Sequence, residues 1–81
     1  MSRHEKLVDR FCSRPSDFTW AELKRLLAGF GYTELRGPGS RRGFVRENGV
    51  TISLHEPHPG SALKSYQTRE VLMHLEQEGH L

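Results

Sequence analysis

Apolar residues recur along this chain first with the spacing of helices and then with the alternation of strands. Leu7, Val8 and Phe11 form a narrow helical stripe. Ser2 and Glu5 make a capping box ahead of it, in which the serine side chain accepts from the backbone three residues on while the glutamate reaches back. Arg14-Pro15 ends this short first helix. A second helix starts at another capping box, Thr19 with Glu22, and Phe18 before the cap is placed to meet Leu23 as a hydrophobic staple. Trp20, Leu23, Leu26, Leu27 and Phe30 give it a broad apolar face, and Gly29 and Gly31 terminate it.

Beyond Gly31 the period changes to two. Tyr32 to Arg36, Arg42 to Arg46 and Val50 to His55 read as three strands, with Val50, Ile52 and Leu54 on one face of the third. Glu47-Asn48-Gly49 joins the last two into a hairpin whose register turns on Phe44. A two-residue Asn48-Gly49 loop pairs Val45 with Ile52 and exposes Phe44, whereas a three-residue loop with Gly49 left-handed pairs Phe44 with Ile52. Burying Phe44 is worth about 2 kcal/mol more, which selects the second register. Thr51, Ser53 and His55 then face away from the core, and Arg41 comes opposite His55. Glu56-Pro57-His58-Pro59-Gly60 forms a rigid turn. A last helix begins after Ser65, buries Val71, Leu72 and Leu75, and runs to about Glu78 before Gly79 stops it.

The predicted class is α+β: a three-stranded antiparallel sheet packed on two helices, with an extra N-terminal helix. With 81 residues there is room for one thin core, burying roughly 60 to 65% of the unfolded surface. The expected organisation is one domain over 1–81, with residues 1–15 as a helical extension and 18–81 as the core. A hydrophobic share of 35% is low, yet four Phe, two Tyr and one Trp at recognisable spacings argue against disorder. Cys12 is the one cysteine, so a scaffold held by internal disulfides is excluded, and its expected role is packing at a helix end. No apolar run approaches the roughly 18 residues of a membrane span and no signal-type stretch follows the charged N-terminus, so a cytoplasmic protein is expected.

The formal net charge is +2, unevenly spread. Arg36, Arg41, Arg42 and Arg46 lie in a stretch without an acid, whereas Glu70, Glu76 and Glu78 make the C-terminal stretch acidic. The basic stretch coincides with the Gly-rich loop Gly37-Pro38-Gly39-Ser40, which points to a phosphate-binding surface rather than only a solvated face. Arginine holds phosphate by charge and bidentate hydrogen bonds, and an imidazole exchanges a proton near neutral pH. His55 and His58 close to such a loop suggest the binding, and the cutting, of RNA.

Three stretches together resemble the HicA toxins of HicA-HicB toxin-antitoxin systems. They are Thr19-Trp20-Ala21-Glu22-Leu23-Lys24-Arg25-Leu26-Leu27, Gly39-Ser40-Arg41-Arg42-Gly43-Phe44, and His58-Pro59-Gly60 followed by Leu63-Lys64. The resemblance covers roughly Phe18 to Leu81. It implies a double-stranded-RNA-binding-domain-like fold, an mRNA target, metal-independent cleavage without a cofactor, and neutralisation by a HicB-like antitoxin. In that family a histidine implicated in catalysis directly follows Gly-Ser; here Arg41 stands in its place. An arginine does not deprotonate usefully near neutrality and cannot be the general base. Either catalysis has moved or the chain binds RNA without cutting it efficiently. A relocated mechanism has His55 and His58 dividing the proton transfers and Arg41 supplying the cation.

The expected RNA contacts are Arg36, Ser40, Arg42, Arg46 and Lys64, the last at the N-terminus of the final helix, where free backbone donors favour phosphate. Recognition would run through shape, phosphate and 2′-hydroxyl. DNA is not the expected partner, because no helix carries a row of basic or amide side chains. Glu70, His74 and Glu78 share a helix face but read as a solvated charged face and not a metal site. Trp20 and Phe30 read as core. The alternative to a toxin-like endoribonuclease is a noncatalytic RNA-binding or protein-interaction module using the same basic face.

Overall fold

A computed structural model of the chain describes residues 2–58 and 61–81. Helix α1 runs over Arg3–Cys12, α2 over Trp20–Gly29 and α3 over Ser65–Gln77. Between α2 and α3 lie strands β1 (Thr33–Arg36), β2 (Arg41–Val45) and β3 (Thr51–His55), antiparallel neighbours in the order β1-β2-β3. This is the expected α+β, double-stranded-RNA-binding-domain-like arrangement, with α1 added in front.

The helix ends follow from local chemistry. At α2 the full capping box forms: Glu22 N–H donates to Thr19 Oγ1 at 3.2 Å, and Thr19 N–H donates to the Glu22 carboxylate at 3.1 Å. At α1 the Ser2 hydroxyl accepts from Glu5 N–H at 3.1 Å, so only the serine half of the predicted box is made. Helix α2 closes in a Schellman motif, with Tyr32 N–H on Leu27 O, Gly31 N–H on Ala28 O, and Gly31 at φ 94°. Helix α3 closes the same way through His80, Gly79 and Leu75.

The register selected by Phe44 is the one observed: Phe44 pairs with Ile52 and Arg41 with His55. Arg46 N–H bonds Val50 O around a three-residue loop, and Gly49 has the left-handed φ of 83° that this loop requires. Phe44, Ile52 and Leu54 then point to one face and are buried, while Thr33, Leu35, Arg41, Thr51, Ser53 and His55 point to the other and are exposed. The helices cover the first face. Trp20 meets Phe44 with ring centroids 5.7 Å apart, and Val71 and Leu75 of α3 join the same cluster. Leu72 is only half-buried against that cluster. Trp20 is core as expected, and Phe30 packs at its edge.

Helix α1 is integrated with this core. Phe11 is 2% exposed and lies 5.1 Å from the buried ring of Phe18. Arg10 adds a two-point ion pair to Glu22, at 2.6 and 3.1 Å, and reaches Asp17 at 3.2 Å. Cys12 departs from expectation: it is exposed and does not pack. With Leu7, Val8 and Phe11 taking the inward stripe, the next residue after Phe11 turns about 100° away from it. The turn expected over Glu56-Gly60 is described only as far as His58; Pro59 and Gly60 lie outside the described residues. Among the described residues no helix is long and apolar enough to cross a membrane.

Two outcomes check this packing. Phe44→Ala removes a buried ring whose burial selects the register, and should lower unfolding stability by about 3 to 5 kcal/mol in denaturant titrations. The Arg10 guanidinium, bonded to the Glu22 carboxylate, pulls that group down to about 2 from the ordinary 4.5. A carboxylate with a depressed folded value contributes stability that is complete above its ordinary value and is lost as pH falls toward the folded one. The melting temperature should therefore drop between about pH 4.5 and 2, and Glu22→Gln should flatten that slope while lowering the plateau above it.

Candidate functional site

Three segments converge where β2 begins and β3 ends. The Gly37–Ser40 loop enters β2 through Gly37 N–H on Arg41 O at 2.9 Å and Arg41 N–H on Pro38 O at 3.1 Å. Glycine is favoured at Gly37, because a Cβ there would stand a tight 3.3 Å from both the Arg41 carbonyl and its Cβ, and at Gly39, where φ is 60°. Glu56 N–H then donates to Ser40 O at 2.8 Å, clamping the loop onto the end of β3.

His55 sits at this junction, exposed, on the open face of the sheet. Its Nδ1 shares a long 3.4 Å hydrogen bond with Ser40 Oγ. That contact leaves Nε2 without a hydrogen-bond partner among the described residues. The backbone behind it is fixed from α3: buried Gln67 donates through Nε2 to His55 O at 2.9 Å, and its Oε1 accepts from Lys64 N–H at 3.1 Å. Lys64 is the exposed N-cap of α3 and so lies at the same end of the molecule as His55.

His58 is exposed and shares a cleft of about 460 Å³ with Ser40, Arg42 and Glu56. Arg42 is committed within that cleft. Its Nη1 donates to Gly39 O at 2.9 Å and Arg41 O at 2.8 Å, and its Nε lies 3.2 Å from the Glu56 carboxylate. The last contact is ionic and poorly aligned, since Nε has no hydrogen bond of acceptable geometry.

The four arginines of the basic stretch do not form one stripe. Strand parity sends Arg41 to the open face with His55, and Arg36 and Arg42, which pair across β1 and β2, toward the helix side. Arg46 follows the far end of β2, roughly 17 Å from Arg41 along the strand. There its guanidinium lies over the Tyr32 ring, 5.8 Å from the centroid. Tyr32 is itself bonded to His74 at 3.2 Å and packed edge-on to His80, whose imidazole burial pushes below its ordinary value, with Arg46 adding to the effect. Among the described residues, Arg36 and Arg41 have no acidic partner within ion-pair distance.

Two residues that shape the site escaped the sequence reading. Gln67 carries a sequence signal, being the third residue after the Lys64 cap, where a side chain reaches back to the cap N–H. Its second bond, to His55 O, carries none. Glu56 reads as part of a turn, and only the folded loop places it against Arg42.

The family model described as the HicA toxin of bacterial toxin-antitoxin matches residues 20–77, from the first turn of α2 to the last residue of α3. No curated protein and no solved structure matches the chain. The match spans well over half of the 81 residues and takes in the helix-sheet-helix unit, the Gly-Ser loop and the turn after β3. The chain therefore belongs to the HicA toxin family of bacterial toxin-antitoxin systems.

Proposed function

We propose that the protein is an RNA-binding toxin that cleaves mRNA at the Arg41–His55 end of its sheet and is held inactive when a HicB-like antitoxin covers that end. The observation that carries this reading is the cross-strand pairing of Arg41 with His55, next to Ser40 and the His58 cleft. Directly opposed residues on one face of a sheet have Cβ atoms about 5 Å apart, so a cation and an imidazole can reach one phosphate group together.

The chemistry follows from what each group can do. His55 takes the proton of a ribose 2′-hydroxyl, and the 2′-oxygen attacks the adjacent phosphorus. Arg41 stabilises the added negative charge there. His58 gives a proton to the departing 5′-oxygen, leaving a 2′,3′-cyclic phosphate and a 5′-hydroxyl. Arginine stays cationic throughout, so it serves as the electrostatic element and never as the base. Ser40 positions the His55 ring and Gln67 positions its backbone, while exposed Lys64 at the start of α3 and exposed Arg36 at the end of β1 offer further cations to the RNA backbone.

His55→Ala should slow RNA cleavage by at least about 100-fold with the fold intact, the lower range for loss of a proton-transfer group. RNA carrying a 2′-deoxynucleotide at the cut site should bind and remain whole. Undiminished cleavage by both His55→Ala and His58→Ala sinks this division of roles, whereas a wild-type protein that binds RNA and leaves it whole favours a noncatalytic RNA-binding module. Antitoxin coverage is checked by growth: expression alone should arrest cells with RNA decay, and coexpression with the protein encoded beside it should relieve the arrest.

Gln67→Leu leaves the His55 carbonyl without its donor and should cost about 1 to 3 kcal/mol in stability. Below the lowered melting temperature it should reduce kcat more than KM. A positioning role is distinguished by Gln67→Glu, which keeps the bond from Lys64 N–H, loses the donor to His55 O, and should show the kcat defect as well.

A further inference from the structure

The open face of the sheet carries a dent beside the Arg41–His55 pair that the proposed chemistry does not use. Gly43 is the middle residue of β2 and lies between Leu35 of β1 and Ser53 of β3 in one cross-strand row. Lacking a side chain there, β2 leaves a hollow of about 260 Å³ bordered by Leu35, Ser53 and Arg41, with Gly37 at its loop end. Leu35 is 52% exposed, an apolar wall facing solvent, and shares this face with half-buried Val45. Arg41 stands at the rim, free of any acidic partner among the described residues.

We propose that this hollow seats one unpaired nucleobase, that of a nucleotide flanking the cleaved phosphate. The proposal deepens the reading of the protein as an RNA-cleaving toxin and rests on it. A hollow of this size lies below the roughly 300 Å³ at which drug-sized ligand sites begin, so it takes a single ring system. The bare Gly43 backbone offers a flat floor, Leu35 an apolar wall, and Ser53 a hydroxyl for a base edge. The Arg41 guanidinium can stack on the ring's outer face, as arginine does on unstacked bases. Gly43 and Arg41 are two residues apart on one strand face, about 7 Å, so the seated base and the phosphate at His55 belong to neighbouring nucleotides. A base inside a duplex is stacked and unavailable, so the seat selects single-stranded RNA.

Gly43 gives a clean test. Its φ is outside the left-handed region, and a Cβ built there meets Ile52 O, Leu35 Cβ and Thr51 Cγ2 all at 3.9 Å, ordinary contact distance. Gly43→Val should therefore fold with an unchanged or higher melting temperature, since valine suits a strand, while filling the seat. Its affinity for a labelled single-stranded RNA, read by fluorescence anisotropy, should fall about tenfold, in the range lost when one base loses its stacking partner. Leu35→Ser, an exposed substitution on the opposite wall, should weaken binding in the same direction.

A series of RNAs, each with one abasic nucleotide near the cut, locates the seated base. At one position the wild-type protein should lose about tenfold and Gly43→Val should lose nothing further. A folded Gly43→Val that binds and cleaves RNA like the wild type overturns the seat and leaves the ribonuclease reading standing. Retained RNA affinity with lost binding to a HicB-like antitoxin also overturns it, assigning the hollow to a protein side chain. A wild-type protein inert toward RNA overturns both.

Discussion

The burial of Phe44 is the constraint on which the Arg41–His55 end of this molecule depends. Its ring is 2% exposed and packs against Trp20, which the capping box of α2 holds at the first position of that helix. A side-chain period of two means that this single inward residue dictates the direction of every other residue in β2. Arg41 and Gly43 are thereby turned outward, and the antiparallel pairing brings His55 and Ser53 opposite them. Slipping the hairpin by one residue would expose Phe44 and send Arg41 to the helix side, so stability and site geometry are set by the same contact.

That parity also divides the basic stretch. Four arginines within eleven residues read as one charged surface, but alternation, a turn, one ion pair and one ring contact separate them. Glu56 and two carbonyls hold Arg42, and the ring of Tyr32 holds Arg46. What faces solvent without an acidic partner among the described residues is Arg41 and Arg36, close to the Gly-rich loop. The electrostatic focus is smaller than the composition suggests and lies at one end of the sheet. Arg42 contributes by shaping the loop: its two bonds to Gly39 O and Arg41 O tie down the turn that presents Ser40 to His55.

Local chemistry was legible in the chain, and distant pairings were not. The cap of α2, the Schellman glycines Gly31 and Gly79, and the three-residue hairpin loop each depend on residues within about six positions of one another, where spacing alone carries the information. The register was legible because one large apolar residue outweighed the alternative turn. By contrast, Gln67 on His55 O, Arg46 over Tyr32 and Arg10 on Glu22 join segments ten or more residues apart, and polar side chains at those positions look like ordinary surface. Cys12 is exposed for a related reason: a small apolar side chain at a helix end is buried only if the stripe turns far enough to include it, and here it ends at Phe11.

The direction of the Arg41 side chain is set by the backbone around it. A residue at that position is gripped by the loop on both sides, its carbonyl by Gly37 N–H and its N–H by Pro38 O, so its side chain leaves the sheet in one direction whatever its identity. An imidazole there could move a proton; a guanidinium cannot, but it is longer, planar and permanently charged. Across the strand, His55 has its own support in Ser40 and Gln67. A permanent cation and an imidazole are thus held opposite each other by the same hairpin, each with its own backbone support.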